Sequence, residues 1–143
     1  MILYFDEDMG KSVPEALSGV GLKTILWKLK RYGGRSKVPD IQWLTDAGQN
    51  GWMVFSCNTE ILNVETERDT IQRERVGILF LTSGQESAPN ILRVLLNRWK
   101  WLEEIDSQVQ RPFAYTLRID GHRQRIPIEP IRKRRRRLYP YLF

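Results

Sequence analysis

The sequence has very few of the side chains that bind zinc or form disulfides. It contains one cysteine, Cys57, and one histidine, His122, among 143 residues. A single cysteine excludes an internal disulfide and is typical of a reducing cytoplasm, and one residue of each kind is too few for a structural zinc site. If the chain binds a metal ion, carboxylate oxygens are the remaining ligands, and these favour Mg²⁺ or Mn²⁺.

Long apolar runs are also lacking. No stretch approaches the roughly 18 to 20 apolar residues that span a membrane. The first acid comes at Asp6, without the basic region that opens a signal peptide. We therefore expect a cytoplasmic protein without a membrane partner. Its 143 residues, 41% hydrophobic with five tryptophans, are enough for one globular domain with a sizeable core.

Positive charge is in excess, with a formal net charge of +6, and this favours an anionic partner such as nucleic acid. One basic segment covers residues 28–39, and Gly33, Gly34 and Pro39 predict a loop there. Its candidate nucleic-acid-binding residues are Lys28, Lys30, Arg31 and Arg35. Cations interleaved with aromatic rings suit a phosphate backbone and a stacked base, and a solvated loop with ordinary surface charges is the alternative.

A second basic segment lies near the end of the chain. Its six consecutive cations are Arg132, Lys133, Arg134, Arg135, Arg136 and Arg137. Such a run is costly to pack and is typical of an exposed anion-binding tail. Three interpretations remain open: contact with nucleic acid, docking onto an acidic protein, and a solubilising extension.

Strand-like and helix-like patterns alternate along most of the chain. Apolar runs predict strands at 2–5, 52–57 and 76–82, and residues 20–27 read as a turn followed by a further strand. Helical spacing predicts helices at 11–19, 40–47, 61–75 and 88–105. The stretch 67–70 reads as looser than the rest of its helix, and Ser12 and Asp40 are suited to capping the first two. This order predicts an α/β fold with a parallel sheet.

The pattern changes after Pro112. Alternating residues at 113–119 and 122–128 flank Asp120-Gly121, which predicts a β-hairpin. We expect an α/β domain over residues 1–110, extended within the same domain by the hairpin and basic tail over residues 111–143.

Acidic residues follow the first predicted strand. Asp6, Glu7 and Asp8 are consecutive, and three neighbouring negative charges repel one another unless a cation lies among them. The carboxyl end of a buried parallel strand is where α/β folds place their ligand crevice. A strand that ends in a polar turn is the alternative.

Other oxygen-bearing side chains are predicted to converge on the same edge of the sheet. Asp40 begins the second helix, and Asn58 and Glu60 follow the third strand. Together with Asp6 and Glu7 they form an oxygen-only candidate set for Mg²⁺. Two metal ions, or one metal ion and a polarised water, would suit hydrolysis of a phosphodiester.

Three blocks of the sequence carry a resemblance to a known family. They are residues 4–9 with 14–17 (YFDEDM and PEAL), residues 39–44 (PDIQWL) and residues 54–61 (VFSCNTEI). In this order and spacing they resemble PIN-like domains of the VapC toxin kind, over about residues 1 to 105. The resemblance implies a PIN-like three-layer α/β/α sandwich with a mainly parallel central sheet.

The resemblance also implies a function. Proteins of this kind are Mg²⁺- or Mn²⁺-dependent ribonucleases, often the toxin of a toxin–antitoxin pair that a small antitoxin protein inhibits. Asp6, Asp40 and Glu60 would be the catalytic acids, with Asp6 the primary metal ligand, Asp40 the second and Glu60 the later acid.

Asn58 departs from the family, which usually has Asp at this earlier position. An amide oxygen can bind a metal ion but adds no negative charge, and Glu7 is positioned to supply that charge.

Two alternatives to the nuclease remain. One is a PIN-like module that binds nucleic acid without cutting it. The other is an interaction protein whose tail docks onto an acidic partner. A homodimer is compatible with each of them.

Overall fold

The computed structural model describes residues 1–22, 25–27, 31–33, 38–83 and 86–128. Its strands are β1 (Leu3–Phe5), β2 (Ile25–Trp27), β3 (Met53–Ser56), β4 (Gly77–Leu81), β5 (Phe113–Leu117) and β6 (Arg123–Ile126). Its helices are α1 (Ser12–Gly19), α2 (Asp40–Asn50), α3 (Glu65–Glu74), α4 (Ala88–Asn97) and α5 (Trp99–Gln108). Two 3₁₀ turns, Glu7–Met9 and Thr59–Asn63, follow β1 and β3.

The six strands form one sheet in the order β2-β1-β3-β4-β5-β6. The first five are parallel, and β6 runs antiparallel to β5. β1 lies between β2 and β3, with Phe5 opposite Phe55 of β3. The predicted α/β fold and its terminal β-hairpin are confirmed.

Helices cover both faces of the sheet, and this explains why its central strands are apolar throughout. Every residue of β1, β3 and β4 is buried. One core contains side chains of α1, α4 and α5, and the other contains side chains of α2 and α3. Since a parallel strand covered on two faces has no solvent side, its side chains do not alternate in polarity. The predicted three-layer arrangement is confirmed.

The long helix predicted over residues 88–105 is two helices. The backbone leaves helical geometry at Arg98, with φ −107° and ψ 10°. Helical spacing from the apolar residues of this segment places Arg98 on the outer face, but in the structure it is half-buried and its Nε donates to the carbonyl oxygen of Gly121, 3.1 Å away. The break therefore connects the helical layer to the turn of the hairpin, a long-range contact that helical spacing does not encode.

Three local predictions were also wrong. Ser12 and Asp40 are the first residues of α1 and α2 rather than their caps. Residues 67–70 are regular helix within α3. Arg31 has helical backbone, where a loop was predicted. The errors at Ser12 and Asp40 are at helix boundaries, which vary by one or two residues, whereas residues 67–70 lie inside α3.

Helices α2 and α3 approach each other closely at Gly48. A Cβ atom on this residue would lie 2.3 Å from the backbone oxygen of Glu74, well inside van der Waals contact. Only glycine therefore allows this approach. This contact joins the C-terminal ends of the two helices, which pack against each other in the same layer.

No helix among the described residues is both long enough and apolar enough to cross a membrane.

Candidate active site

The candidate site lies where the connections leaving two neighbouring strands diverge. β1 and β3 are adjacent, but the chain leaves β1 into α1 on one face and leaves β3 into α3 on the other. Such a switch point opens a crevice at the carboxyl ends of the strands. Asp6 directly follows β1, and Ser56 ends β3.

Asp6 is almost fully buried, with 7% of its surface exposed. Its backbone N–H continues the sheet by donating to the carbonyl oxygen of Phe55 at 2.9 Å. Its carboxylate accepts two hydrogen bonds, from the Glu7 backbone N–H at 2.6 Å and from the Ser56 hydroxyl at 3.0 Å. These bonds fix the direction of the carboxylate and cap the 3₁₀ turn that follows β1.

Asp8 shares the Ser56 hydroxyl with Asp6. Its Oδ2 lies 3.2 Å from Ser56 Oγ and also accepts from the backbone N–H of Cys57 at 3.3 Å. A hydroxyl carries one proton, so it donates fully to only one of the two carboxylates at a time. The Ser56 oxygen itself accepts from the backbone N–H of Asn58 at 3.0 Å. Ser56 therefore ties the ends of β1 and β3 together.

A second carboxylate pair comes from the two adjacent helices. Asp40 begins α2, and its Oδ1 accepts from the indole Nε1 of Trp43 at 2.9 Å. Glu67 lies in the first turn of α3 and is hydrogen-bonded to Asp40. Burial, the charge of Asp40 and this hydrogen bond raise the pKa of Glu67 to about 7.

The same environment affects Asp6. Burial and then the charge of Asp8 raise the pKa of Asp6 to about 6, against the opposing effect of its hydrogen bonds from Ser56 and Glu7. Asp40 adds a smaller contribution in the same direction, and Asp6 in turn raises the pKa of Glu67. The four acids Asp6, Asp8, Asp40 and Glu67, called the carboxylate cluster below, therefore repel one another electrostatically.

Cys57 borders this cluster without the properties of a nucleophile. Burial, together with a hydrogen bond to Asp8 and the charge of that residue, raises the pKa of the Cys57 thiol to about 12. Because the thiolate is the reactive form, Cys57 remains a neutral thiol at physiological pH. The chemistry of the site therefore depends on its oxygens.

The structure brings together only some of the predicted site residues. Asp6 and Asp40 belong to the carboxylate cluster. Glu7 is exposed in the 3₁₀ turn and contributes its backbone N–H to Asp6. The Asn58 side chain accepts from the backbone N–H of Glu60 at 3.2 Å, and exposed Glu60 accepts from Asn63 at 3.3 Å. The side chains of Asn58 and Glu60 thus bond within their own turn.

Three members of the site were not among the predicted ligands. Ser56 reads as the end of an apolar strand, Asp8 as part of an acidic run, and Glu67 as one of many charges on a solvated helix. A signal existed for Glu67, because it lies in the first turn of a helix that begins at the carboxyl edge of a parallel sheet. Its contact with Asp40, 27 positions earlier in the chain, depends on how α2 and α3 pack.

The donor atoms of the cluster fit a magnesium-type ion, since they are carboxylate and hydroxyl oxygens without nitrogen or sulfur. Within the described ranges, no group of three or more His, Cys, Asp or Glu side chains is arranged to hold a metal ion. The cluster therefore fits such an ion by the type of its donor atoms and by its negative charge. A bound cation would relieve the repulsion among the four acids.

Of the predicted nucleic-acid-binding residues, Arg31 belongs to the described part of the chain. Its guanidinium carbon lies 5.5 Å from the ring centres of both Tyr32 and Trp52. The remaining predicted residues lie outside the described residues: Lys28, Lys30, Arg35, Arg132, Lys133, Arg134, Arg135, Arg136 and Arg137.

Comparison with known proteins places the chain in a family. Neither a curated protein nor a solved structure matches it. A family model described as a PIN like domain matches residues 1–83, more than half of the chain, and this range includes β1 to β4 and the whole carboxylate cluster. PIN-like domains are generally nucleases and typically use divalent metal ions. The chain belongs to the PIN-like domain family.

Proposed function

We propose that this protein is a metal-dependent endoribonuclease of the VapC toxin type, which hydrolyses RNA phosphodiesters with bound Mg²⁺ or Mn²⁺. The observation that carries the proposal is the buried Asp6 carboxylate among three further acids at the switch point of a PIN-like domain. Four acids kept in mutual repulsion are costly unless a positive charge is bound among them.

Each residue of the cluster has a separate task in this proposal. Asp6 and Asp40 would be the principal metal ligands, with Asp8 and Glu67 near enough electrostatically to share the charge. When bound, a divalent cation would supply positive charge beside the scissile phosphate. Ser56 orients Asp6 through its hydroxyl, and Glu67, with a pKa of about 7, can hold a proton near neutrality.

The structure suggests a smaller role for Asn58 and Glu60. Both bond within the 3₁₀ turn after β3, so they support the position of Ser56 and the backbone around it. We keep Glu60 and Glu7 as outer acids whose exposed carboxylates add negative charge to the site. The earlier acid that the family usually has at position 58 is replaced in function by Glu67.

The partners in this proposal are an RNA substrate and a cognate antitoxin protein. RNA would be bound by Arg31, whose guanidinium lies against the rings of Tyr32 and Trp52, together with the basic segment over residues 28–39 and the basic tail. A homodimer is compatible with this arrangement.

The test is cleavage of a mixed RNA pool by purified protein in Mg²⁺, in Mn²⁺ and in EDTA. Asp6→Asn keeps the size and one acceptor oxygen of the side chain but removes its charge. Glu103→Gln is the matched control, because it removes a charge from an exposed position on α5, on the other side of the sheet from α2 and α3. We expect metal-dependent cutting by the wild type and the control, and none by Asp6→Asn.

A second candidate function is a nucleic-acid-binding module without cleavage. It is favoured by the uncharged Asn58 and by the lack, among the described residues, of a preformed three-ligand group. Calorimetric titration with Mn²⁺ separates the two. A saturable site that Asp6→Asn abolishes supports the nuclease, whereas RNA binding without any saturable Mn²⁺ site supports the module.

A further inference from the structure

A cavity of about 650 Å³ opens beside the carboxylate cluster. Asp8 belongs to both, since its carboxylate lines the cavity and lies 3.2 Å from the Ser56 hydroxyl that also bonds to Asp6. Met9, Leu81 and Ile91 form an apolar wall of this cavity. The cavity thus begins one hydrogen-bonded side chain away from the proposed catalytic acid.

The cavity continues along the carboxyl edge of the sheet. A neighbouring cavity of about 510 Å³ shares Thr82 and Glu86 with the first and reaches Arg118 beyond the end of β5. The two together form a groove from the end of β1 to the end of β5. Arg118 is exposed and lies 3.6 Å from Asp120, so it supplies a cation at the far end of the groove.

The polar lining of the first cavity contains two carboxylates, Asp8 and Glu86, beside the side chains of Cys57, Thr59 and Thr82, which can also donate. Asp8 is already occupied by Ser56 and Cys57. Glu86 is different, because in the described part of the chain its carboxylate has one long hydrogen bond, from Asn90 to Oε2 at 3.3 Å. Among the described residues Oε1 has no donor, and Oε2 has a second lone pair besides the one that Asn90 uses, so both oxygens can accept from a ligand. An ionised carboxylate only accepts, so the ligand must present donors.

An apolar wall beside the Glu86 carboxylate favours one kind of occupant. A flat ring with donors on its edge would stack on the apolar wall and bond to Glu86. Among the four bases of RNA, guanine has two adjacent donors on its Watson–Crick edge, at N1 and the 2-amino group. Adenine and cytosine place a ring-nitrogen acceptor beside their amino group, and uracil flanks its N–H with two carbonyl oxygens, which a carboxylate repels.

We propose that this cavity binds a guanine base of single-stranded RNA next to the cleaved phosphate, with Glu86 accepting from N1–H and the 2-amino group. Arg118 then contacts the phosphate backbone farther along the groove. The inference deepens the nuclease proposal and rests on it, because it assigns the sequence preference of the same site.

The first measurement follows ligand binding without any cleavage. In EDTA, methyl resonances of Met9 and Ile91 are recorded while each of the four nucleoside 5′-monophosphates is added. We expect guanosine monophosphate to shift both methyls, with the buried Ile71 of the opposite core unchanged. Glu86→Gln is expected to weaken guanosine monophosphate binding by about tenfold, as loss of one bidentate base contact implies, while Glu103→Gln leaves it unchanged.

The second measurement compares cleavage of oligonucleotides that differ at one base. Wild-type protein is given substrates with a single guanine, inosine or adenine at the same position. Inosine keeps N1–H but lacks the 2-amino group, so its rate should lie between those of guanine and adenine. Glu86→Gln should reduce the difference between guanine and adenine.

The outcomes separate the two proposals. Cleavage without base preference, with no shift of Met9 or Ile91, overturns the guanine site and leaves the nuclease standing. Methyl shifts specific for guanosine monophosphate from a protein that cuts no RNA overturn the nuclease and keep the guanine site. Equal shifts from all four nucleotides overturn the role of Glu86. Unligated spectra of Glu86→Gln that match the wild type exclude misfolding as the cause of weaker binding.

Discussion

Two charged regions of the molecule differ in whether contacts within the chain stabilise their charges. The carboxylate cluster buries like charges together, and the pKa values of Asp6 and Glu67 rise in consequence. On the arginine–aromatic side, each of Arg111, Arg123 and Arg125 has its guanidinium carbon over an aromatic ring, at 4.9 to 5.8 Å from the ring centre. The first region is costly without a ligand, whereas the second is stabilised by contacts within the chain.

The difference has a physical origin in hydration and in partners. Arg123 and Arg125 are exposed, so their charge keeps its water while their planar groups gain attraction from the rings of Trp101 and Tyr115. Asp6 has lost nearly all its water and has an acid as its nearest charged neighbour. Unfavourable charge interactions concentrated at one place in a fold are typical of a functional site.

The largest effect is expected from a substitution that removes the central charge of the carboxylate cluster. Asp6→Asn should lower the rate of RNA cleavage by about 1,000-fold, because a metal ion contributes several kcal/mol of charge stabilisation and each 1.36 kcal/mol is tenfold in rate. Single-turnover cleavage in Mg²⁺ measures it. A variant that cuts at the wild-type rate would show that Asp6 is not a metal ligand.

The next largest effect is expected from a substitution that removes a charge from the arginine–aromatic side. Half-buried Arg111 donates to the carbonyl oxygen of Trp52 at 2.8 Å and to Asp106 at 2.6 Å. Arg111→Ala should lower the free energy of unfolding by about 3 kcal/mol, since it leaves a partly buried carboxylate and a carbonyl without a donor. Urea denaturation monitored by circular dichroism measures the change.

The contrasting control for Arg111 is Arg93→Ala on α4, an exposed arginine that donates to Asn90. Its free energy of unfolding should change by less than about 0.5 kcal/mol, as for ordinary surface positions. Equal effects of the two substitutions would contradict the distinction between a buried and an exposed arginine.

The third prediction concerns pH. Because burial and like charges raise the pKa of Asp6, the free energy of unfolding should fall as the pH rises. The pKa of Asp6 rises from 3.8 to about 6 on folding. In EDTA, the stabilisation from the neutral acid should be present below pH 4 and lost as the pH rises through 6. At 1.36 kcal/mol for each pKa unit, the loss is about 2–3 kcal/mol at pH 8. Glu67 acts in the same direction, up to about pH 7.

Asp6→Asn sharpens this test, since it removes the charge that the folded protein disfavours. The variant should unfold at a higher temperature than the wild type at pH 8 in EDTA and should show a weaker pH dependence. Added Mg²⁺ should raise the melting temperature of the wild type alone. If the variant is less stable than the wild type at pH 8 in EDTA, the charge of Asp6 stabilises the fold, and net repulsion in the carboxylate cluster is contradicted.

The smallest effect concerns the exposed arginine pairs. Arg123→Gln removes the cation over Trp101 and should lower the free energy of unfolding by only about 0.5 kcal/mol. Arg125→Gln over Tyr115 should behave in the same way. Because these charges are exposed, 1 M salt should reduce the difference further. A loss comparable to that of Arg111→Ala would contradict the distinction between half-buried Arg111 and the exposed Arg123 and Arg125.

Much of the fold could be predicted from the order of its apolar runs. β1, β3 and β4 are continuous apolar segments, and the Asp-Gly pair between β5 and β6 is a strong local signal for a hairpin. The break at Arg98 could not be predicted in this way. Leu95 and Leu102 keep helical spacing across it, and its partner, Gly121, is 23 positions away.

The site was predictable where it depends on strand ends and unpredictable where it depends on helix packing. Asp6 directly follows a central strand, so its location was clear from the local sequence. Glu67 interacts with Asp40 through the packing of α2 against α3, which joins residues 27 positions apart in the sequence. Glu60 looked like a ligand by its position after β3, but the 3₁₀ turn directs it to Asn63.

The hydrogen bond between Trp43 and Asp40 gives the protein an optical reporter of its own. The Trp43 indole is fully buried and stacks with Tyr4, while its N–H donates directly to a carboxylate of the proposed site. Any cation that draws electron density from Asp40 alters the surroundings of this indole. Because the chain has five tryptophans, the part of the emission that Trp43→Phe removes would then record occupancy in real time, without a label and without a substrate.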